Sequence, residues 1–161
     1  MAEESGETFL ENARIKAQAV VDRTGRAAIA DDSGIMLEAL GGAPGVHSAN
    51  YGGDRCETDW DRLQYLLSNM EAEENRRAEF VSAIVCIFPD GTSIEAEDRL
   101  EGDLLRAPRG EGGFGYDPIF YLKDWGQTFA EMDPGLKNSM SHRAKALQKF
   151  RETWEKHYAD K

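Results

Sequence analysis

The sequence predicts an α/β fold, a mixed, twisted sheet flanked by helices, and three observations predict it. Apolar residues recur at helical spacing over residues 9–24, 59–70 and 141–158, short runs rich in Val, Ile and Phe lie between them, and glycine or proline breaks separate the segments. The 161 residues suffice for one well-filled core and are too few for two ordinary domains, so residues 1–161 are read as a single domain.

The first helix is predicted from Phe9 to Thr24. Thr8 serves as N-cap and Glu11 stands three residues on, the pattern in which cap and carboxylate satisfy exposed amides reciprocally. Ala13, Ala17 and Val20 give it an apolar side, and Asn12 and Lys16 share a face one turn apart. Ala27 to Ala30 reads as a short buried strand delivering Asp31 and Asp32 at its end, and Ile35 to Leu40 as a second extended stretch. Gly41-Gly42-Ala43-Pro44-Gly45 then breaks the chain.

Thr58 caps a predicted helix from Asp59 to Met70, with Trp60, Leu63, Leu66 and Leu67 at helical spacing, and Glu71 to Arg77 reads as a solvated linker. Glu79 to Phe88, the turn Pro89-Asp90-Gly91 and the alternating Thr92 to Arg99 predict a β-hairpin. A last helix runs from Ser141 to Tyr158, with Ala144, Leu147, Phe150 and Trp154 as its buried stripe.

Composition narrows the function. A formal net charge of -11 opposes a nucleic-acid backbone, which is bound through clustered Lys and Arg. Cys56 and Cys86 lie far apart and form no Cys-x-x-Cys pair, so neither a disulfide framework nor a zinc ribbon is indicated. No run reaches membrane length and the first residues lack a signal-peptide pattern, which makes a cytoplasmic protein the expectation.

Three clusters carry chemistry. Ala30-Asp31-Asp32-Ser33-Gly34 offers paired carboxylates, suited to a hard cation that uses one or two acids together with substrate phosphates. Gly112-Gly113-Phe114-Gly115-Tyr116-Asp117-Pro118 offers close backbone approach and aromatic faces, and Lys137-Asn138 with Ser141-His142-Arg143 adds donors. Taken alone, the first cluster also fits a turn, the second a structural loop and the third a solvated surface. In combination they point to a nucleotide.

The order of these motifs, together with Thr8-Phe9-Leu10-Glu11-Asn12-Ala13, Lys16-Ala17 and Pro44-Gly45-Val46, resembles the ITP/XTP pyrophosphatase family over nearly the whole chain. The resemblance implies Mg²⁺-dependent hydrolysis of ITP, dITP and XTP to the monophosphate and pyrophosphate by a homodimer. It implies Asp32 as general base and metal ligand, with Asp31 and Glu4 as further metal acids and Lys16 as the cation stabilising the reacting phosphate. It places Ser33, Phe114, Gly115, Tyr116, Asp117, Lys137, His142 and Arg143 around the substrate.

Members of that family normally open with a buried strand, a Thr/Ser-Gly-Asn-x-x-Lys phosphate loop and a helix, none of which precedes Met1 here. The expectation is therefore a fold truncated at its N-terminus. The alternative function is an inactive purine-nucleotide-binding or structural remnant lacking the phosphate loop.

Overall fold

The structure, a computed structural model, describes residues 6–159. Glu4, one of the acids expected to hold metal, lies outside the described residues. The order of elements is α1 (Phe9–Thr24), β1 (Ala28–Leu37), α2 (Asp59–Asn69), β2 (Arg77–Ile87), β3 (Ser93–Leu104), β4 (Phe120–Leu122), β5 (Gln127–Thr128), α3 (Pro134–Met140) and α4 (His142–Ala159). The strands form one sheet in the order β1-β2-β3-β4-β5, so the expected α/β class holds. β3 pairs antiparallel with β4, setting Leu104 opposite Phe120, and β4 antiparallel with β5, setting Tyr121 opposite Thr128.

Contacts divide the chain into two compact units. The first takes the residues up to Ser33, Val81–Arg99 and Ser141 onward, and the second takes Gly34–Phe80 and Leu100–Met140.

In the first unit, side-chain alternation along β2 explains its continuous burial. Val85 and Ile87 pack with Ala13, Ala17 and Val21 of α1, whereas Ile84 and Cys86 pack with Ala146 and Phe150 of α4 and with Ile94 and Ala96 of β3. Successive strand residues point to opposite faces, so β2 is covered by a helix on each side. Cys86 of this unit and Cys56 of the second are both buried free thiols, and burial pushes the Cys86 thiol up.

The capping of α1 is half of what its sequence suggests. The Glu11 amide donates to Thr8 Oγ1 at 3.1 Å, but the Glu11 carboxylate accepts from the Glu7 amide rather than from Thr8. The helix ends on Gly25 at φ 68, whose amide donates to Val21 O at 2.8 Å, a left-handed cap that glycine adopts without a Cβ penalty. At α2 the reciprocal box is complete between Thr58 and Asp61.

Three further expectations are corrected. The stretch from Ala28 to Leu37 is one continuous strand, so Asp31 and Asp32 sit inside β1 rather than at its end, and Glu38–Leu40 is a 3₁₀ turn. Leu147 is exposed; with Ile29, Phe150, Arg151 and Trp154 it lines an open apolar groove, and Ala146 takes the buried place. The segment before β2 is not merely solvated, because the Arg76 guanidinium donates to the carbonyls of Met70, Glu73, Leu104 and Leu105.

The second unit is built on Ile35 and Leu37 of β1, Leu63, Leu66 and Met70 of α2, Phe80 of β2, Phe120 of β4 and Phe129 after β5. Phe80 stacks on Phe129 at 5.5 Å, and Phe120 tilts against both rings.

Candidate functional site

In the first unit, alternation along β1 sorts the two aspartates onto opposite faces. Ala28 and Ala30 pack toward α1, and Asp32 follows them, with Lys16 Nζ of α1 4.0 Å from its Oδ1. Ile29 lies on the α4 side, and Asp31 follows it, with Arg143 Nη2 of α4 4.0 Å from its Oδ2. Each carboxylate thus meets a cation from the helix that covers its face. The Asp32 side chain is 12% exposed and that of Asp31 is 56% exposed, so only Asp32 lies in a sheltered, low-dielectric place.

Ser33 is half-buried on the Asp31 side of the strand. His142, half-buried, and Arg143, exposed, open α4, where Ser141 Oγ accepts from the Ala144 amide at 3.1 Å.

Among the described residues no group of three or more His, Cys, Asp or Glu side chains converges as a metal site. The sheltered carboxylate on the Lys16 side of β1 is Asp32. It fits Mg²⁺, which is held by one or two carboxylates and completes its shell with phosphate oxygens and water.

The second unit gathers its residues around one carboxylate. Asp117 Oδ2 accepts from the Phe114 amide at 2.9 Å and from Lys137 Nζ at 2.6 Å, and both ionic side chains are sheltered, at 5% and 14% exposure. Lys137 comes from α3, and its ammonium stands 4.6 Å from the Phe114 ring centroid and 5.3 Å from that of Phe129. Phe114 itself is 62% exposed, which leaves ring surface available to a flat ligand.

Gly113, at φ 72, makes this turn possible, because a Cβ there would collide with the Asp117 carboxylate. Gly115 is also left-handed, at φ 59.

Tyr116 does not join Phe114 as a stacking surface. It is buried, its hydroxyl donates to Ser48 O at 2.6 Å, and burial pushes its phenol well above the ordinary tyrosine range. Sequence reading missed Ser48, which also accepts from the Ile35 amide at 2.9 Å and donates to Gly45 O at 2.6 Å. A lone serine after a glycine-proline break carries no local signal for that role.

Residues 1–153 match the Ham1 family. The chain belongs to that family. It is 51% identical over 156 residues to the dITP/XTP pyrophosphatase of Thermus thermophilus, covering 96% of this chain and 74% of that protein. It is also 51% identical over 146 residues to the dITP/XTP pyrophosphatase of a Nostoc species, covering 90% of this chain and 72% of that one.

Among solved structures, the Staphylococcus aureus Ham1 protein superposes with a TM-score of 0.92 at 36% identity, covering 98% of this chain and 81% of that one. A HAM1 protein from Coxiella burnetii gives 0.90 at 41% identity, covering 96% and 80%. The α/β architecture is thus that of Ham1 proteins.

Proposed function

We propose that this chain, as one pyrophosphatase domain, hydrolyses the non-standard purine nucleotides ITP, dITP and XTP to the monophosphate and pyrophosphate, keeping them out of nucleic-acid synthesis. The observation that carries the reading is the 51% identity to the Thermus thermophilus dITP/XTP pyrophosphatase across 96% of the chain. Sheltered ionic side chains in each unit support it.

In the first unit, Asp32 is assigned as general base, taking a proton from the attacking water as it adds to phosphorus. Lys16, beside Asp32, is assigned to the phosphate oxygens that gain charge in the transition state. Asp32 would also hold Mg²⁺, with Glu4 and Asp31 as the further acids that the family resemblance gives. When bound, the ion supplies charge neutralisation for the phosphates and orientation for the water.

In the second unit, Phe114 is assigned to stack on the purine, with the Gly115 backbone allowing close approach. Asp117 holds Lys137 as a donor beside that ring. Ser33, His142 and Arg143 keep the substrate-binding roles that the family resemblance gives them, whereas Tyr116 shapes the turn from within the core.

Hypoxanthine and xanthine carry a 6-oxo acceptor that such donors satisfy, whereas adenine presents an amino donor and leaves groups unpaired. That rule does not separate GTP from XTP. A homodimer and a cytoplasmic setting complete the reading; no described helix is long and apolar enough to cross a membrane.

The test is pyrophosphate release from ITP, XTP, GTP and ATP with Mg²⁺, by the parent chain and by Asp32→Asn. The reading expects selective cleavage of ITP and XTP, and a loss of kcat of about 100-fold or more in the variant with nucleotide binding retained. Nucleotide binding without release by the parent would instead identify a purine-binding remnant.

A further inference from the structure

We propose that Asn12 is a positioning residue for the Asp32–Lys16 end of the first unit, acting through the turn it holds at the start of α1. The proposal rests on the pyrophosphatase reading above. Asn12 lies on the buried side of α1 with Phe9, Ala13, Ala17 and Val21, and it is fully buried. An apolar residue would fill that place without taking a carboxamide out of water.

The carboxamide is also only half satisfied. Asn12 Oδ1 accepts from the Gly6 amide at 2.8 Å, while Nδ2 has no hydrogen-bond partner among the described residues. The neighbouring Glu7 amide donates to Glu11 Oε2 at 3.0 Å. Two consecutive amides of the entering chain are therefore folded back onto the first turn of the helix.

The approach is close enough to require glycine. A Cβ on Gly6 would stand 2.6 Å from Glu11 Cβ and 2.8 Å from Asn12 Oδ1. A glycine and a buried asparagine thus serve one contact, at a site where an alanine or leucine at position 12 would suit the helix better.

The placement of the clamp gives it a function. Asn12 and Lys16 are one helical turn apart on the same side, and Lys16 reaches to Asp32. Holding Gly6 against that turn fixes the start of α1, the helix from which Lys16 projects toward Asp32. Misplacing a catalytic group by about 1 Å can cost on the order of 100-fold in rate, so the clamp acts on turnover more than on substrate affinity.

The experiment compares the parent with Asn12→Ala, Gly6→Ala, the double variant, and Val21→Ala as a packing control on the same buried side. It reads kcat and KM for ITP, Tm, and hydrogen exchange at the Gly6 and Glu7 amides. Asn12→Ala is expected to lower kcat about tenfold with KM changed by less than about threefold, and to raise Gly6 amide exchange. Gly6→Ala should match it, and the double variant should fall no further, because both changes break one device. Val21→Ala should lower Tm as much and keep its kcat.

Full kcat in Asn12→Ala, a matching loss of kcat in Val21→Ala, or unchanged Gly6 exchange would each overturn the proposal. A parent chain that releases no pyrophosphate from any purine triphosphate overturns the functional reading and this role with it. An active parent beside an equally active Asn12→Ala overturns this role alone.

Discussion

Asp117 shows how much one carboxylate can organise. It holds the Phe114 amide and the Lys137 ammonium together at 5% exposure, so removing the cation leaves a buried, under-compensated charge. Breaking such a pair from one side costs about 3 kcal/mol. Lys137→Met is therefore expected to lower the unfolding free energy by about that much in urea titrations, and an unchanged midpoint would remove Asp117 from its organising role. Lys16 presents the opposite case. Its pair with Asp32 spans 4.0 Å, beyond hydrogen-bond reach, and the lysine side chain is 32% exposed, so although the carboxylate is sheltered the contact itself is worth about 1 kcal/mol or less. Lys16→Met should accordingly leave Tm nearly unaltered while lowering kcat for ITP by about 100-fold, a split that a merely structural lysine would not produce.

At the scale of elements, what the sequence made legible was what is locally encoded. The bounds of α1 follow from Thr8, helical spacing and Gly25, and the start of α2 from Thr58 and Asp61, all within a few residues of the ends they set. Thr8→Ala should cost about 1 kcal/mol, measured as a lowered urea midpoint with the m-value retained; no loss would show that the Glu7–Glu11 contact alone caps the helix.

The centre of β1 is not legible locally, because Asp, Ser and Gly are turn formers by themselves, whereas sheet pairing carries the strand through them. The same continuity sends Asp31 and Asp32 to opposite faces, which adjacent letters in a sequence do not reveal. Burial of Tyr116 depends on Ser48, 68 residues away, and no local pattern encodes it. The two-residue β5 is too short to show a period. Along α4 the apolar stripe was placed one residue off, on Leu147 rather than Ala146, because both positions are apolar and only packing against β2 and β3 decides between them. The positions expected to carry chemistry, Asp32, Lys16, Asp117 and Lys137, pair across elements, Lys16 with Asp32 and Lys137 with Asp117, and no local motif encodes such pairings.

For the whole molecule, a net charge of -11 sets two opposing responses to acid. Protonating carboxylates relieves self-repulsion and favours the compact state, but it also removes carboxylates that are paired only in the folded chain. Asp98 isolates the second effect. Partial burial by itself would raise its carboxyl, yet the Arg99 amide at 2.8 Å and the Lys145 and Lys149 ammoniums at 3.5 and 3.4 Å outweigh that and hold it below its ordinary value of 3.8. A carboxyl depressed in the folded state contributes stability that is fully present above the unfolded value and is lost as pH falls through the folded one. The contribution of Asp98 should thus be intact at neutral pH and disappear below 3.8. Urea titrations of the parent and Asp98→Asn at about pH 7, 5, 4 and 3 test this, since the background relief of repulsion is shared by both proteins and cancels in their difference. The gap between them is expected to be widest at neutral pH and to close in acid. A gap that stays constant across the series would show that Asp98 matters through its shape or its hydrogen bonds and not through its charge.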